Sequence, residues 1–264
     1  MSQLSYSNEM ELGVEGQKAD LSNVDVLSRA AEGSVPVGRV VVIGTDKDVQ
    51  CKLPTVSTDI TAQGKALGVA MLDSRALNGQ TSYANKEAVS VAHKGRVFVK
   101  PEEVMDPTST PYVRFKGKKQ VQTIVWDADF VASNTINGKV GGVAISQVTY
   151  ATSHAATIAA VATAIAAANT KVLSATASSR TITVVSDWDQ ELELSDWVVA
   201  AGSSQADETI TQTQARVLTT DVGKIRATVD NDEGSAATAA ALPKSRILKS
   251  NESVGDLAVL EIDL

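Results

Sequence analysis

The chain has 264 residues, of which 43% are hydrophobic, 21% charged and only 4% aromatic, with a net charge of -7; this length supports one large or two modest cores without metals or disulfide staples. The acidity argues against nucleic acid as a partner, since phosphate binding rests on clustered Lys and Arg, and no run approaches the roughly 18 apolar residues of a membrane helix. The single cysteine, Cys51, excludes an intramolecular disulfide and reads as a small, half-buried residue in an alternating run.

Residues 1–18 are polar and aperiodic, lack the basic flank and apolar centre of a signal peptide, and read as an extended arm that orders on a partner. Short apolar runs follow: Val24-Asp25-Val26-Leu27, then Val35-Pro36-Val37-Gly38-Arg39-Val40-Val41-Val42-Ile43 and Leu67-Gly68-Val69-Ala70-Met71-Leu72. Val and Ile bounded by Pro, Gly and Asp predict strands, with Pro36 at a strand start or an edge because it has no ladder donor. Ala88-Val89-Ser90-Val91-Ala92 and Arg96-Val97-Phe98-Val99 predict two more, with Lys94-Gly95 as a tight turn between them. No helical periodicity interrupts the series, which disfavours a βαβ nucleotide-binding sheet and favours a small barrel or sandwich over residues 19–118.

The basic, glycine-containing stretch Lys116-Gly117-Lys118-Lys119-Gln120 reads as a solvated linker into a second domain over residues 119–215. There, residues 126–136 and 139–150 flank Asn137-Gly138, the pair best suited to a type I′ hairpin. Thr152 or Ser153 is positioned to cap a helix running to about Ala168, with Ile158, Val161 and Ile165 on one face and Asn169 ending it. Strands over 171–176 and 180–186 complete a ββαββ order, a further run over 192–200 follows, and Trp126, Trp188 and Trp197 all fall inside this stretch. Residues 216–264 return to short strands at 223–229 and 257–262, in the style of the first domain. The fold class expected is mainly β: a small β-barrel or sandwich body with an N-terminal extended arm and an inserted α+β (ββαββ) domain, since long insertions cost little closure entropy when their ends lie close.

Catalytic material is sparse. His93 and His154 are the two histidines and read as exposed or capping groups. The nucleophile-elbow, P-loop and dinucleotide glycine motifs are all absent. Asp127 with Asp129, Asp187 with Asp189, Glu191 with Glu193, and Asp230 with Asp232 and Glu233 lack EF-hand spacing, so turns and solvated strand faces are favoured over Ca²⁺ ligation. No catalytic, cofactor or metal site is assigned, and the chain is not expected to be an enzyme.

A string of pieces in fixed order resembles the structural cement, or head-decoration, proteins of tailed bacteriophages, the Gp24-like group. The pieces are Tyr6, Ala19-Asp20, Val24-Asp25-Val26-Leu27-Ser28-Arg29-Ala30-Ala31-Glu32, Val35-Pro36-Val37-Gly38-Arg39-Val40-Val41, and Leu67-Gly68-Val69-Ala70. Tyr83, Ala88-Val89-Ser90-Val91, Gly95-Arg96-Val97-Phe98-Val99, Gly223-Lys224-Ile225-Arg226 and Leu257-Ala258-Val259-Leu260-Glu261-Ile262 continue it. They cover most of residues 6–115 and 216–264, leaving 119–215 as an extra domain; the segment after Val104 departs from the pattern with Asp106-Pro107-Thr108-Ser109. The resemblance implies a virion protein on the outer capsid surface, bound where major capsid protein subunits meet, with capsid contacts through Tyr6, Asp20, Arg29, Glu32 and Arg39. It also implies self-association, a homotrimer first and a dimer second, with no nucleic acid, membrane or cofactor. From the residues alone, the alternative is a carbohydrate-binding or adhesin-like module stacking sugars on Trp188 and Trp197, against which stands the usual burial of tryptophan.

Overall fold

The computed structural model describes residues 13–20, 23–72, 80–187, 189, 191–234 and 236–264. The chain divides into two compact units: a body of Met1–Lys116, Asp221–Asn231 and Ala237–Leu264, and a second unit of Gly117–Thr220 and Asp232–Ala236.

The body begins with β1 (Asp25–Ala31), β2 (Val35–Pro36), β3 (Val40–Ile43), β4 (Gln50–Lys52), a one-turn helix α1 (Ser57–Thr61), β5 (Ala66–Ala70), β6 (Ser82–Tyr83), β7 (Ala88–Val99) and β8 (Tyr112–Arg114). β1, β4, β3, β5 and β7 pair in that order and β7 pairs back to β1, so five strands close into a barrel. Closure removes the sheet edges that an open sandwich would expose. The unbroken apolar run of β3 follows from burial on both sides: Val41 packs with Leu67, Cys51 and Val91, whereas Val40 packs with Val69, Ala92 and Val97.

Lys94-Gly95 is not a turn. β7 runs through it as one twelve-residue strand, and the ladder with β1 shifts register between Asp25 and Val26. Gly95 takes φ +130° at this irregularity, and a Cβ there would sit 2.9 Å from Val24 Cγ2. The glycine thus marks a bulge rather than a reversal, a distinction that rests on the strands lying either side of it. Beyond the bulge the body adds strands from the far end of the chain. Residues 13–19 run along β7, with Gly16 N–H donating to Phe98 O at 2.7 Å and Phe98 N–H to Gln17 O at 2.9 Å. This part of the predicted arm therefore belongs to the body; residues 1–12 lie outside the described residues.

The second unit contributes β9 (Gln120–Trp126), β10 (Thr135–Val140), β11 (Val143–Ala144), β12 (Val148–Thr149), α2 (His154–Ala168), β13 (Val172–Ser178), β14 (Thr181–Ser186), β15 (Leu194–Ala200) and β16 (Glu208–Gln214). Four strands precede the helix and four follow it, in place of the ββαββ order. One sheet runs β13-β14-β9-β16; the other joins β11, β10 and β12, with β15 also on β10. Residues 127–134, expected as strand, form a loop between β9 and β10. Asn137-Gly138 lies inside β10, where the ladder to β15 shifts register, and a Cβ on Gly138 would sit 2.5 Å from the Trp197 ring. Packing of that indole, a contact some sixty residues away in sequence, overrides the local turn preference. The reversal comes at Gly141-Gly142 instead, with φ +59° and +79°.

α2 behaves as its sequence predicts. Ser153 Oγ accepts from Ala156 N–H as the N-cap and Asn169 is the C-cap, while Ile158, Val161 and Ile165 are buried. Each of these three side chains contributes roughly 1.5–3 kcal/mol through burial. Trp126 and Trp197 meet edge to face with centroids 6.2 Å apart, and both are buried in the core under α2. The chain then returns to the body as β17 (Ile225–Arg226), β18 (Ala239–Ala241), β19 (Ser245–Lys249) and β20 (Ala258–Asp263). β17 and β18 flank β8, and β20 pairs with the outer half of β7 and carries β19 on its other side. Lys116, Lys118 and Lys119 are half-buried rather than fully solvated.

Candidate functional site

The five side chains expected to contact a capsid fall into different surroundings. Tyr6 lies outside the described residues. Arg29 shares one face of β1 with Leu27 and Ala31 and approaches buried Cys51 closely enough for its charge to favour the thiolate. Burial outweighs that effect and pushes the Cys51 thiol up to about 11. The Arg29 Nε is buried without a hydrogen-bond partner, and Nη1 reaches only the Ser28 carbonyl at 3.5 Å. Among the described residues no carboxylate pairs with this guanidinium. A shallow groove beside it is lined by Ser28, Ala30, Asp48, Val49, Lys86 and Ala88. Val49 is 54% exposed and Val26, further along β1, 47%.

Glu32, directly after β1, accepts the Thr45 N–H at 2.6 Å on one oxygen and the Thr45 hydroxyl at 2.8 Å on the other. These bonds, the backbone one foremost, hold its carboxyl below the usual range. Its own N–H donates to Cys51 O, and the next amide, Gly33 N–H, donates to Asn85 Oδ1. Arg29 and Glu32 thus share one end of β1, brought there by the β1–β4 pairing.

Asp20 and Arg39 are engaged elsewhere. Asp20 takes the Arg96 Nη1 at 2.6 Å, Arg96 Nε donates to Glu261 at 3.1 Å, and Glu261 takes Arg246 as well. This chain of charges crosses β7, β20 and β19. Arg39 faces Glu15 at 3.6 Å with both side chains largely buried. Burial pushes the Glu15 carboxyl up and the Arg39 guanidinium down, each partly offset by the other's charge.

Sequence reasoning did not find the most buried charged cluster. Arg114 is fully buried on β8; its Nε and Nη2 grip Glu102 at 2.6 and 2.7 Å, and Nη2 also reaches Asp230 at 2.8 Å. Arg226 on β17 joins the same two carboxylates at 3.1 and 3.0 Å and bonds Glu103. More than a hundred residues separate Glu102 from Arg226 and Asp230, so no local pattern announces the cluster. It clamps three separate stretches of the body and presents no free catalytic group.

The remaining acidic clusters are turn and strand-face groups. Asp129 pairs with Arg180, Asp189 with Lys171, Glu191 with Arg216, and Asp232 accepts the Lys119 N–H. Among the described residues no group of three or more His, Cys, Asp or Glu side chains is placed to hold a metal. Neither histidine is the exposed or capping group the sequence suggested: His93 Nδ1 lies 2.8 Å from Leu67 O, and His154 accepts Phe130 N–H on Nδ1 and donates from Nε2 to Ser179 O. Trp197 is only 6% exposed, which withdraws it as a sugar-stacking platform; Trp188 lies outside the described residues. No helix of the described residues is long and apolar enough to cross a membrane.

Comparison with known proteins adds three findings. A family model described as structural cement protein (E217 gp24/Pam3 gp6) matches residues 2–186, running past the body to the end of β14. A solved structure titled Mycobacterium phage Patience is similar over 91% of this chain and 93% of that chain, at 13% sequence identity and a TM-score of 0.40. No curated protein matches.

Proposed function

We propose, on the premise that the chain belongs to the family of phage structural cement proteins, that it binds the outer surface of an assembled icosahedral capsid and holds neighbouring major capsid subunits together without a chemical step. The observation on this chain that favours the reading is the end of β1, where Arg29, with no carboxylate partner among the described residues, stands beside a groove carrying exposed Val49. An arginine with no counter-ion among the described residues, next to exposed aliphatic surface, is the composition of a protein-docking centre, not of a catalytic cleft. Arg29 and Glu32 supply contacts in this reading, with Tyr6 reaching the capsid from the segment before residue 13. Asp20 and Arg39 act through position, fixing β7 and the N-terminal segment by way of Arg96 and Glu15.

The body forms a homotrimer on a capsid symmetry axis, a dimer being the second choice, because a closed ring lets one surface make several equivalent contacts. Residues 119–215 are an inserted domain that folds alone; a protein of residues 117–220 unfolds cooperatively by tryptophan fluorescence, and a non-cooperative loss of signal counts against this.

Capsids stripped of this protein and then resupplied with it test the central claim. A ligand that binds only the assembled state stabilises it in proportion to ln(1 + [L]/Kd), so decorated particles resist heat and osmotic shock better, with a saturable dose response. Arg29→Ala weakens capsid binding by about tenfold, the loss of a central interface arginine. Identical breakage of stripped and decorated capsids refutes the cement role.

A further inference from the structure

We propose that the free edge of β16 is a self-association site, pairing antiparallel with β16 of a second copy of this chain about a twofold axis at Thr211. Two four-stranded sheets then become one of eight strands.

The first ground is the backbone. β16 pairs with β9 on one side, and among the described residues it ends the sheet. Asp127 N–H donates to Asp207 O at 3.0 Å, one step beyond the Trp126–Glu208 pair. In an antiparallel ladder such bonds alternate, so Thr209 and Thr211 also turn their N–H and C=O toward β9. Those of Glu208, Ile210 and Gln212 point outward, where unpaired ladder groups are a template for another strand.

The second ground is charge. Sheet edges are ordinarily blunted by Lys, Pro or inward charges, and β19, which ends the body's sheet, carries Arg246 and Lys249. From Thr209 to Gln214, β16 has no charge, no proline and no glycine. The neighbouring face is equally neutral: Thr176, Thr183, Thr123 and Thr211 stand opposite one another across all four strands. On a chain of net charge -7, copies repel one another broadly. This edge is a place where a second copy meets no like charge, which selects it as the occupant over a charged partner strand.

The register follows. Centring the axis on Thr211 sets Ile210 opposite Gln212 of the second copy, and each such pair exchanges two backbone hydrogen bonds. Side chains keep to their own faces, so the threonine row continues through the axis. Glu208 lies opposite Gln214 of the second copy, which leaves the two Glu208 carboxylates roughly 20 Å apart at 3.4 Å per residue. A single strand edge buries far less than the roughly 1,000 Å² of a stable interface, so the contact is weak in dilute solution and strengthens where copies are concentrated on one particle. It joins copies in pairs and is separate from the capsid contact at β1.

Covalent trapping in the free full-length protein tests the pairing without any capsid, so its failure leaves the capsid reading standing. Thr211→Cys places two thiols at a non-hydrogen-bonded position with Cα atoms about 4.5 Å apart, within disulfide reach, while the native Cys51 is buried. Under mild oxidation T211C yields disulfide dimer about tenfold faster than Q212C or T176C, whose equivalent residues are out of disulfide range in this register. Equal rates for the three overturn the proposal. Faster dimerisation of T176C assigns the contact to β13, and a mixed T211C–T176C dimer assigns a head-to-tail arrangement; either result also overturns it. In sedimentation, Thr211→Lys abolishes the concentration-dependent dimer of the wild-type protein by setting two charges on the axis, and a dimer that persists in T211K refutes the pairing.

Discussion

Replacing Arg114 by Met keeps side-chain length and apolar packing but removes the cation at the centre of the body's charged cluster. Glu102 loses two short charge-assisted bonds and Asp230 loses one, and both carboxylates are only 12% exposed. Removing one partner of a buried pair costs about 3–5 kcal/mol, because the remaining charge stays desolvated without compensation. Arg226 still reaches both carboxylates, which places the expected loss near the lower limit, about 3 kcal/mol. For a unit of 150–250 residues each kcal/mol moves Tm by about 2–4 °C, so R114M should melt about 6–12 °C lower by calorimetry. The three tryptophans lie at 126, 188 and 197, outside the body, so fluorescence follows the second unit and should shift much less. A triple variant, R114M/E102Q/D230N, should recover part of the loss, since it removes the two stranded carboxylate charges while Arg226 keeps Glu103. A Tm drop under 2 °C in R114M, or no recovery in the triple variant, would show that water or the rest of the cluster already solvates these carboxylates and would refute the reasoning.

Three further outcomes are expected. Gly138→Ala forces a methyl into the Trp197 ring and should destabilise the second unit by about 1–3 kcal/mol, read as an earlier fluorescence transition in urea; unchanged stability would mean that the indole moves freely. Cys51, buried and with its thiol raised to about 11, should resist maleimide at pH 7.5 in the native protein and react within minutes in urea, a contrast lost if the barrel opens readily. The Arg180 hydrogen bond holds Asp129 below its ordinary value of 3.8, so the stability it confers is present above that value and is lost as pH falls through the folded pKa. In Arg180→Gln the Asp129 titration followed by NMR should move up toward the ordinary aspartate range; an unmoved curve would mean that the pair does not persist in solution.

What the sequence by itself determined lies where short-range chemistry is decisive. Ser153 and Asn169 bound α2 because caps are satisfied within a few residues. The Val-rich runs with Gly, Pro and Asp between them carry the mainly β class, and the part of the ordered string that lies within residues 2–186 carries the family. Tertiary structure decided the features in which two equally permitted local outcomes compete. Asn137-Gly138 suits a hairpin and Lys94-Gly95 a turn, yet Trp197 occupies the space over the first, and strands on both sides carry β7 through the second. A glycine permits a reversal or a bulge at similar local cost, and only the neighbouring strands choose between them. The same holds for the charges: Arg29 and Arg39 look alike in sequence, but Glu15 engages Arg39 while no carboxylate among the described residues pairs with Arg29. Barrel closure, the Arg114 cluster and the open edge of β16 all join residues far apart in the chain, and no local pattern encodes which distant segment will supply a partner or leave one missing.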